Sequence, residues 1–398
     1  MRRPSRLAFS VLCAGSLLTV WNGWLWLEEL IANPFANDFI AYYGGARLGV
    51  SAGWRRLYDV ALQQHFEYAT GSHSWEPFVN PPPLAWIVAP LTALDFRTAD
   101  WLWGVLLLLV IAGAAWASAP AGGFRRSAGV VAVVGWFPTG FALLLGQAAI
   151  LVAGSAALAA KLLVARRDVL AGVALTGMAL KPQDAILVPL ALLVAGRPRA
   201  FASWVVATAV LASVSALELG RSGLQQAFDL LGWLETAPLN HRYAVEGTLG
   251  VGWPAIAAQV FFGAAALYAA RRRRQSAEAV LAIGLVGSFL VVPHLSLQDF
   301  CVVAVAGLLL LRSTPGIAVP IVLTCGFVAG EFAIPLGPIP LLVSLLALLA
   351  AGAFFRDVED RPSNARPDER RPPPVVVPTE PQASLPLRPA GSGEGAPR

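Results

Sequence analysis

Charged residues are scarce in this chain. Asp, Glu, Lys and Arg make up 13% of its 398 residues, whereas hydrophobic residues make up 57%. An ordinary soluble domain carries roughly 25% charged residues. The composition therefore excludes an ordinary soluble domain and predicts an all-α polytopic membrane protein, because helices satisfy their own backbone hydrogen bonds inside a bilayer.

Cysteine is also rare, and the three cysteines all lie in apolar stretches, where they favour the role of small packing residues. They form no disulfide framework, and no spacing of Cys, His or carboxylate residues is typical of a metal site. No P-loop or GxGxxG motif precedes a predicted helix. We therefore predict no cofactor and no metal. The run Arg271–Arg274 is interpreted as an anchor to anionic lipid headgroups, and nucleic acid is not expected as a partner.

Arginine clusters separate the apolar runs, and the positive-inside rule places these clusters in the cytoplasm. They are Arg2/Arg3/Arg6, Arg125/Arg126, Arg166/Arg167, Arg197/Arg199, Arg271–Arg274, Arg312 and Arg356. About twelve spans of ~20 residues fit between them. These are 7–31, 98–119, 127–145, 148–165, 168–180, 183–196, 200–219, 251–270, 277–293, 300–311, 316–332 and 338–355. The first is interpreted as a retained span and not as a cleaved signal, so residues 1–6 and the C-terminus are both predicted to be cytoplasmic.

One apolar run, 82–94, does not fit as a span, because crossing there would move every later arginine cluster outside. We interpret it as re-entrant or interfacial. The predicted domain of residues 7–355 then has two long extracytoplasmic loops, 28–97 and 220–250, which contain polar and aromatic residues. All four histidines and most acidic residues fall on this outer side, so any chemistry is expected there. The proline-rich segment 356–398 is predicted to be a disordered cytoplasmic tail.

Asp38 is the first candidate site residue. It follows the first span directly and precedes the aromatic pair Tyr42 and Tyr43. A partly buried carboxylate in this position suits a general base, because burial raises its pKa toward the working range. The alternative is a helix cap, since Asp is also favoured at that position.

Lys181 lies in the apolar string LTGMALKPQDAILVPL (175–190). An ammonium at membrane depth is costly, so such a lysine is a functional candidate. Pro182 predicts a helix break beside it, and the ammonium could hold an anion such as a phosphate. The alternatives are a lysine that snorkels from a helix end and a local pair with Asp184.

Four weaker candidates lie in other predicted outer turns. His294 and Asp299 belong to a polar island between two apolar spans and could face one cavity. Gln147 occupies an outer turn, and Arg242 could supply a second cation. Ordinary interfacial or surface-loop positions are the alternative for each of them.

Several strings together resemble one known family. They are DFIAYY (38–43), LYD (57–59), NPPPLAWIVAPL (80–91), GQAAILVAGSAALAAKLLVARRDVLAGVALTGMALKPQ (146–183) and PHLSLQDF (293–300). In their order they resemble the integral-membrane glycosyltransferases of family 87, over roughly residues 10–350. The family commonly has Tyr before the late Asp, where this chain has Gln298.

The resemblance implies a bundle of the GT-C class that moves a hexose, such as mannose, from a polyprenyl-phosphate donor to an extracytoplasmic lipid or glycan acceptor with inversion. It implies Asp38 as the base and Lys181 at the donor phosphate, with His294 and Arg242 as helpers. Tyr42, Tyr43, Gln147 and Asp299 complete the expected substrate-binding set. A transporter or lipid flippase with a relay of Lys181, Asp184 and Asp299 at a broken helix is the alternative function, and a structural scaffold is a third.

Overall fold

The computed structural model describes residues 6–234, 241–314 and 316–354. Within these ranges every regular element is a helix, which confirms the all-α prediction. The helices are α1 Arg6–Ala32, α2 Phe39–Ala52, α3 Val60–Tyr68, α4 Pro82–Val88, α5 Phe96–Ser118, α6 Gly123–Gly135, α7 Phe137–Leu144, α8 Ala149–Val164, α9 Asp168–Leu175, α10 Val188–Val194, α11 Pro198–Leu234, α12 Val245–Leu249, α13 Trp253–Arg272, α14 Ala277–Val291, α15 Cys301–Ser313, α16 Ala318–Glu331, α17 Ala333–Leu336 and α18 Ile339–Phe354. The predicted tail 356–398 lies outside the described residues.

Each predicted span coincides with one helix or with consecutive helices. Among the described residues, α1, α5, α11 and α13 are long and apolar enough to cross a bilayer, and α6 with α7 adds a fifth candidate if this bent pair is one span. The pair bends by 58°, because Trp136 is extended between the two helices and Pro138 opens α7. The other apolar helices are shorter than 18 residues. The number of spans therefore stays a prediction.

The centre of the bundle is α14. Its residues are all buried from Ala279 to Leu290, and it packs against α8, α10, α13, α15 and α18. The peripheral helices α1 and α11 instead expose apolar side chains, among them Leu217, which is 78% exposed. A helix with an exposed apolar surface is compatible with contact to lipid.

The run predicted not to cross forms α4 and a following 3₁₀ turn at Ala89–Ala93. The two together are much shorter than the ~20 residues that a spanning helix needs. They pack against α2, whose residues are mostly buried. The loop 28–97, which the sequence predicts to be extracytoplasmic, thus folds over one end of the bundle, and we call it the outer-loop layer.

Basic residues tie helices together at the other end. The Arg273 guanidinium donates to the carbonyl of Gly352 at 2.9 Å and to the Thr314 hydroxyl at 3.2 Å. Arg312 pairs with Glu278 at 3.1 Å. Arg273 precedes α14 and Arg312 lies in the last turn of α15, whereas the turn Leu297–Phe300 joins the other ends of these two helices. These two arginines and that turn therefore lie at opposite ends of α14 and α15.

Candidate functional site

Four segments that are distant in sequence meet beneath the outer-loop layer. They are the start of α2, the turn between α7 and α8, the break at Lys181, and the 3₁₀ turn Leu297–Phe300 before α15. The predicted helix break is confirmed, because Lys181 has a non-helical backbone between the 3₁₀ turns Thr176–Leu180 and Pro182–Ala185. The Lys181 side chain contacts residues of two of the other segments.

A continuous chain of polar contacts joins four of the predicted site residues. The Gln147 side chain donates from Nε2 to the Asp38 carboxylate. Its Oε1 accepts from the Lys181 ammonium at 2.9 Å, and the same ammonium forms an ion pair with Oδ1 of Asp299. Gln147 and Asp299 are 2% exposed and Lys181 is 7% exposed. Since an unpaired polar group is costly at this depth, each group needs its neighbour.

Asp38 is not a side-chain helix cap, although it occupies the N-cap position of α2. The neighbouring Asn37 takes that role, because its Oδ1 accepts from the backbone N–H of Ile40 at 3.3 Å. The Asp38 backbone N–H instead donates to the carbonyl of Leu145 at 3.0 Å, at the end of α7. The Asp38 carboxylate is therefore not used to cap α2, and it accepts from Gln147 instead.

Burial raises the pKa of Asp38 to about 7, and the Lys181 ammonium opposes this shift. Glu76 and Asp299 contribute smaller increases through like-charge repulsion. A carboxylate with such a pKa can accept a proton near neutral pH and release it again. Gln147 donates to only one of the two Asp38 oxygens, Oδ2. The carboxylate can therefore accept a further hydrogen bond.

Asp299 fixes the position of Lys181. Its second oxygen accepts from the backbone N–H of Ser296 at 3.0 Å, within a capping box at the start of the 3₁₀ turn. The alternative of a local pair between Lys181 and Asp184 is not what the structure shows, because the ammonium pairs with Asp299 and forms no hydrogen bond with Asp184. Asp184 is fully buried, and neither of its oxygens has a hydrogen-bond partner among the described residues.

The two predicted tyrosines differ in their surroundings. Tyr42 is buried and lies within electrostatic reach of Asp38, Lys181 and Asp299. The Tyr43 hydroxyl instead donates to the carbonyl of Leu94 at 2.7 Å. Tyr42 therefore belongs to the polar cluster, whereas Tyr43 ties α2 to the turn after α4.

His294 and Arg242 are not part of the polar chain. The ring of His294 lies 4.6 Å from the ring of His241, and His241 contacts Glu246 at 3.1 Å. Arg242 is exposed, and its guanidinium lies 5.7 Å from the ring of Tyr243. These residues form a second polar group on the neighbouring outer segment.

Two polar residues of the outer-loop layer, Asn80 and Glu67, were not predicted from the sequence. Asn80, in the NPP string, donates to the carbonyl of Leu180 at 3.5 Å, immediately before Lys181. Glu67 is fully buried, and burial raises its pKa to about 8. One Glu67 oxygen accepts from the backbone N–H of Glu76 at 2.9 Å. The NPP string was a usable signal for Asn80, whereas no local pattern marks Glu67 as buried.

No group of three or more His, Cys, Asp or Glu side chains among the described residues could hold a metal ion. The cluster instead combines a carboxylate that can take up a proton, an amide that bridges, and an ammonium held by a second carboxylate. Such a set can deprotonate one group and stabilise negative charge on another.

Apolar helices with a buried polar cluster at one end are compatible with an integral-membrane enzyme. The model of glycosyltransferase family 87 matches residues 78–293, more than half of the chain. The chain belongs to this family and is a glycosyltransferase. The matched range includes Gln147, Lys181 and Arg242, whereas Asp38 lies before it and His294 and Asp299 lie after it. Neither the curated proteins nor the solved structures contain a match.

Proposed function

We propose that this glycosyltransferase moves a hexose, in the first instance mannose, from a polyprenyl-phosphate donor to a lipid or glycan acceptor on the extracytoplasmic side. The observation that carries the proposal is the contact chain from Asp38 through Gln147 to Lys181 and Asp299. It couples a group suited to proton removal with a cation suited to a leaving phosphate. Both lie at the opposite end of the bundle from the basic residues that tie helices together.

Asp38 acts as the general base in this proposal. The acceptor hydroxyl gives its proton to the Asp38 carboxylate as its oxygen forms a bond with the anomeric carbon. The bond from that carbon to the phosphate oxygen breaks, and the electron pair leaves with the polyprenyl phosphate. Attack opposite to the leaving group inverts the anomeric configuration. One base and one cationic site are sufficient, in contrast to the two carboxylates of a glycoside hydrolase.

Lys181 stabilises the leaving phosphate. An ammonium has three N–H donors, and two are directed to Gln147 and Asp299. The third can donate to a phosphate oxygen, where charge develops in the transition state. Asp299 holds the ammonium in place, and Tyr42 lines the same cluster. His294 and Arg242 assist from the neighbouring outer segment, and Tyr43 positions α2.

The donor class is tested with purified full-length protein in detergent. Polyprenyl-phosphate mannose and a nucleotide-activated mannose are supplied separately with an envelope glycolipid fraction as acceptor, and labelled glycolipid is measured. We expect product from the lipid-linked donor alone, with inverted anomeric configuration. Product from the nucleotide sugar would contradict the proposal. Movement of label across a proteoliposome bilayer without any glycolipid product would favour the transporter instead.

The acceptor is then identified in cells. Envelope glycolipids are compared between a deletion strain and the same strain that carries either the intact gene or its Asp38→Asn form. A glycolipid that loses one hexose in the deletion strain, and regains it only with the intact gene, identifies the acceptor. Restoration by Asp38→Asn would contradict the assigned base.

A further inference from the structure

Three arginines of the predicted outer loops occupy unexpected positions. Arg55 and Arg56 lie in loop 28–97, and Arg221 lies in loop 220–250, although arginine is enriched in cytoplasmic loops and not in outer ones. The structure brings these distant residues together. Arg55 and Arg56 end the 3₁₀ turn Trp54–Arg56, and Arg221 follows the break of α11 at Gly220.

Two adjoining cavities share Arg55. The first, of about 510 Å³, is lined by Arg55, Arg56, Leu217 and Glu218, among others. The second, of about 660 Å³, is lined by Arg55, Gly220, Arg221, Ser222 and Gln225. Both are open to the surface, and because Arg55 lines both we treat them as two halves of one groove, which we call the arginine groove.

Close backbone contacts fix the shape of the arginine groove. Gly220 has a positive φ of 62°, and a Cβ there would lie 3.7 Å from Nε of Arg55. A Cβ on Gly223 would come within 2.7 Å of the carbonyl oxygen of Arg55. Trp54 packs over Gly49, where a Cβ would approach its ring to 2.1 Å. Glycine at these positions therefore permits the 3₁₀ turn to rest on α11 with its arginines turned outward.

The arginine groove carries an excess of positive charge. All three guanidiniums belong to exposed residues, and none forms an ion pair with another described residue. Glu218 is the single carboxylate among the lining residues. Guanidinium groups bind phosphate oxygens in a planar, two-pronged geometry, and the Ser222 hydroxyl adds a neutral donor. The amide of Gln225 donates to Asp229 at 2.9 Å.

The position of the groove points to a lipid as the source of the phosphate. The part of α11 that precedes Gly220 begins at Pro198 and is about 33 Å long at ~1.5 Å per residue, close to the ~30 Å hydrocarbon thickness of a bilayer. The break therefore falls at headgroup depth when α11 crosses the membrane. Leu217, which is 78% exposed, lines the first cavity on the side where the acyl chains of a bound lipid would lie.

We propose that Arg55, Arg56 and Arg221 bind the phosphodiester headgroup of an anionic membrane lipid in the outer leaflet. The acyl chains of this lipid run along the exposed apolar face of α11. The site is separate from the contact chain between Asp38 and Asp299. It does not depend on the proposed donor or on the sugar that is transferred.

Native mass spectrometry of the full-length protein in detergent tests the proposal without turnover. The probes are phosphatidylglycerol, phosphatidylcholine and free glycerol phosphate. We expect phosphatidylglycerol to bind more tightly than the other two. Arg55→Gln and Arg221→Gln should each weaken it about fivefold, since one arginine near an anionic lipid surface contributes ~1 kcal/mol. Arg97→Gln, another exposed arginine of the same predicted loop, is the matched control and should bind as the wild type does.

Gly223→Ala separates geometry from net charge. It removes no charge, but its methyl group displaces the carbonyl of Arg55, so phosphatidylglycerol binding should again weaken. Wild-type binding by both arginine variants would overturn the proposal. An equal loss in Arg97→Gln would also overturn it, because the attraction would then be non-specific. If glycerol phosphate bound as tightly as phosphatidylglycerol, the groove would bind free phosphate groups and the proposal of a lipid would be wrong.

Discussion

The ammonium of Lys181 forms its ion pair with the carboxylate of Asp299, 118 positions further along the chain, and not with nearby Asp184. The pair locks the break after α9 to the 3₁₀ turn that precedes α15. Both residues are nearly inaccessible, so their mutual contact offsets a large loss of hydration. Lys181 consequently has a structural partner as well as its proposed role at the donor phosphate.

Lys181→Met separates these two roles. The variant leaves the Asp299 carboxylate buried without its cation, and we expect the free energy of unfolding to fall by about 3–5 kcal/mol. Asp299→Asn in the same chain should recover much of this stability, because no unpaired charge remains. Sugar transfer should stay low in both variants. Thermal unfolding and transfer per folded molecule are measured in parallel, and wild-type transfer by the double variant would exclude Lys181 from catalysis.

Asp38→Asn tests the proposed base. We expect transfer to fall at least ~100-fold, because removal of a general base costs this much or more, while expression and donor binding persist. Asp59→Ala is the matched control, since Asp59 is a helix cap whose Oδ1 accepts from the N–H of Leu62 at 3.1 Å. It should lose about 1 kcal/mol of stability and keep its transfer rate. If Asp38→Asn also lost only this much stability and kept its transfer rate, Asp38 would be a structural residue and not the base.

Glu67 predicts a pH dependence of stability. Its pKa in the folded protein is raised from 4.5 to about 8 by burial, so the folded state favours the protonated form. The stabilisation is complete below pH 4.5 and is lost as pH rises through about 8. Glu67→Gln should flatten unfolding free energy against pH across this window, measured by denaturant unfolding. If Glu67→Gln left the pH dependence of the unfolding free energy unchanged, Glu67 would not be the cause of that dependence.

The helices were largely predictable from the sequence, because apolar runs and arginine clusters mark their extent. The bend between α6 and α7 was missed, although Pro138 was a signal for it. The helix break at Lys181 was predicted from Pro182 for the same reason. Helix lengths could not settle the number of spans, since several apolar helices are too short for the criterion of about 20 residues.

Site residues were predictable one by one, whereas their pairing was not. Lys181 is conspicuous in an apolar string, but only the fold brings it to Asp299. Asp184, three residues further on, was an alternative local partner, and residues three apart face each other only on a helix. That relation fails here, since Lys181 has φ of −148° and is not helical. The bridging role of Gln147 depends on contacts across 109 and 34 positions, which no local pattern encodes.

The orientation of the site is tested by single-cysteine labelling in whole cells. A cysteine-free background is made first, because Cys13 and Cys325 are exposed. An impermeant reagent should label His73→Cys, an exposed position of the outer-loop layer, and should not label Arg126→Cys, Arg167→Cys or Arg274→Cys until the membrane is opened. Labelling of Arg167→Cys in intact cells would place the contact chain on the cytoplasmic side and contradict the proposed donor geometry.

The pH profile of kcat/KM tests the contact between Gln147 and Asp38. A base must be deprotonated to act, so activity should rise with pH, with a midpoint near the Asp38 pKa of about 7. Gln147→Leu removes the N–H donor that stabilises the carboxylate, and the midpoint should move upward by about one pH unit. Gln63→Leu is the matched control, because Gln63 is also buried but donates to the backbone of Leu57 and Phe78. It should lower stability and leave the midpoint unchanged. A wild-type midpoint near the ordinary carboxylate value of 3.8 would contradict the raised pKa of Asp38.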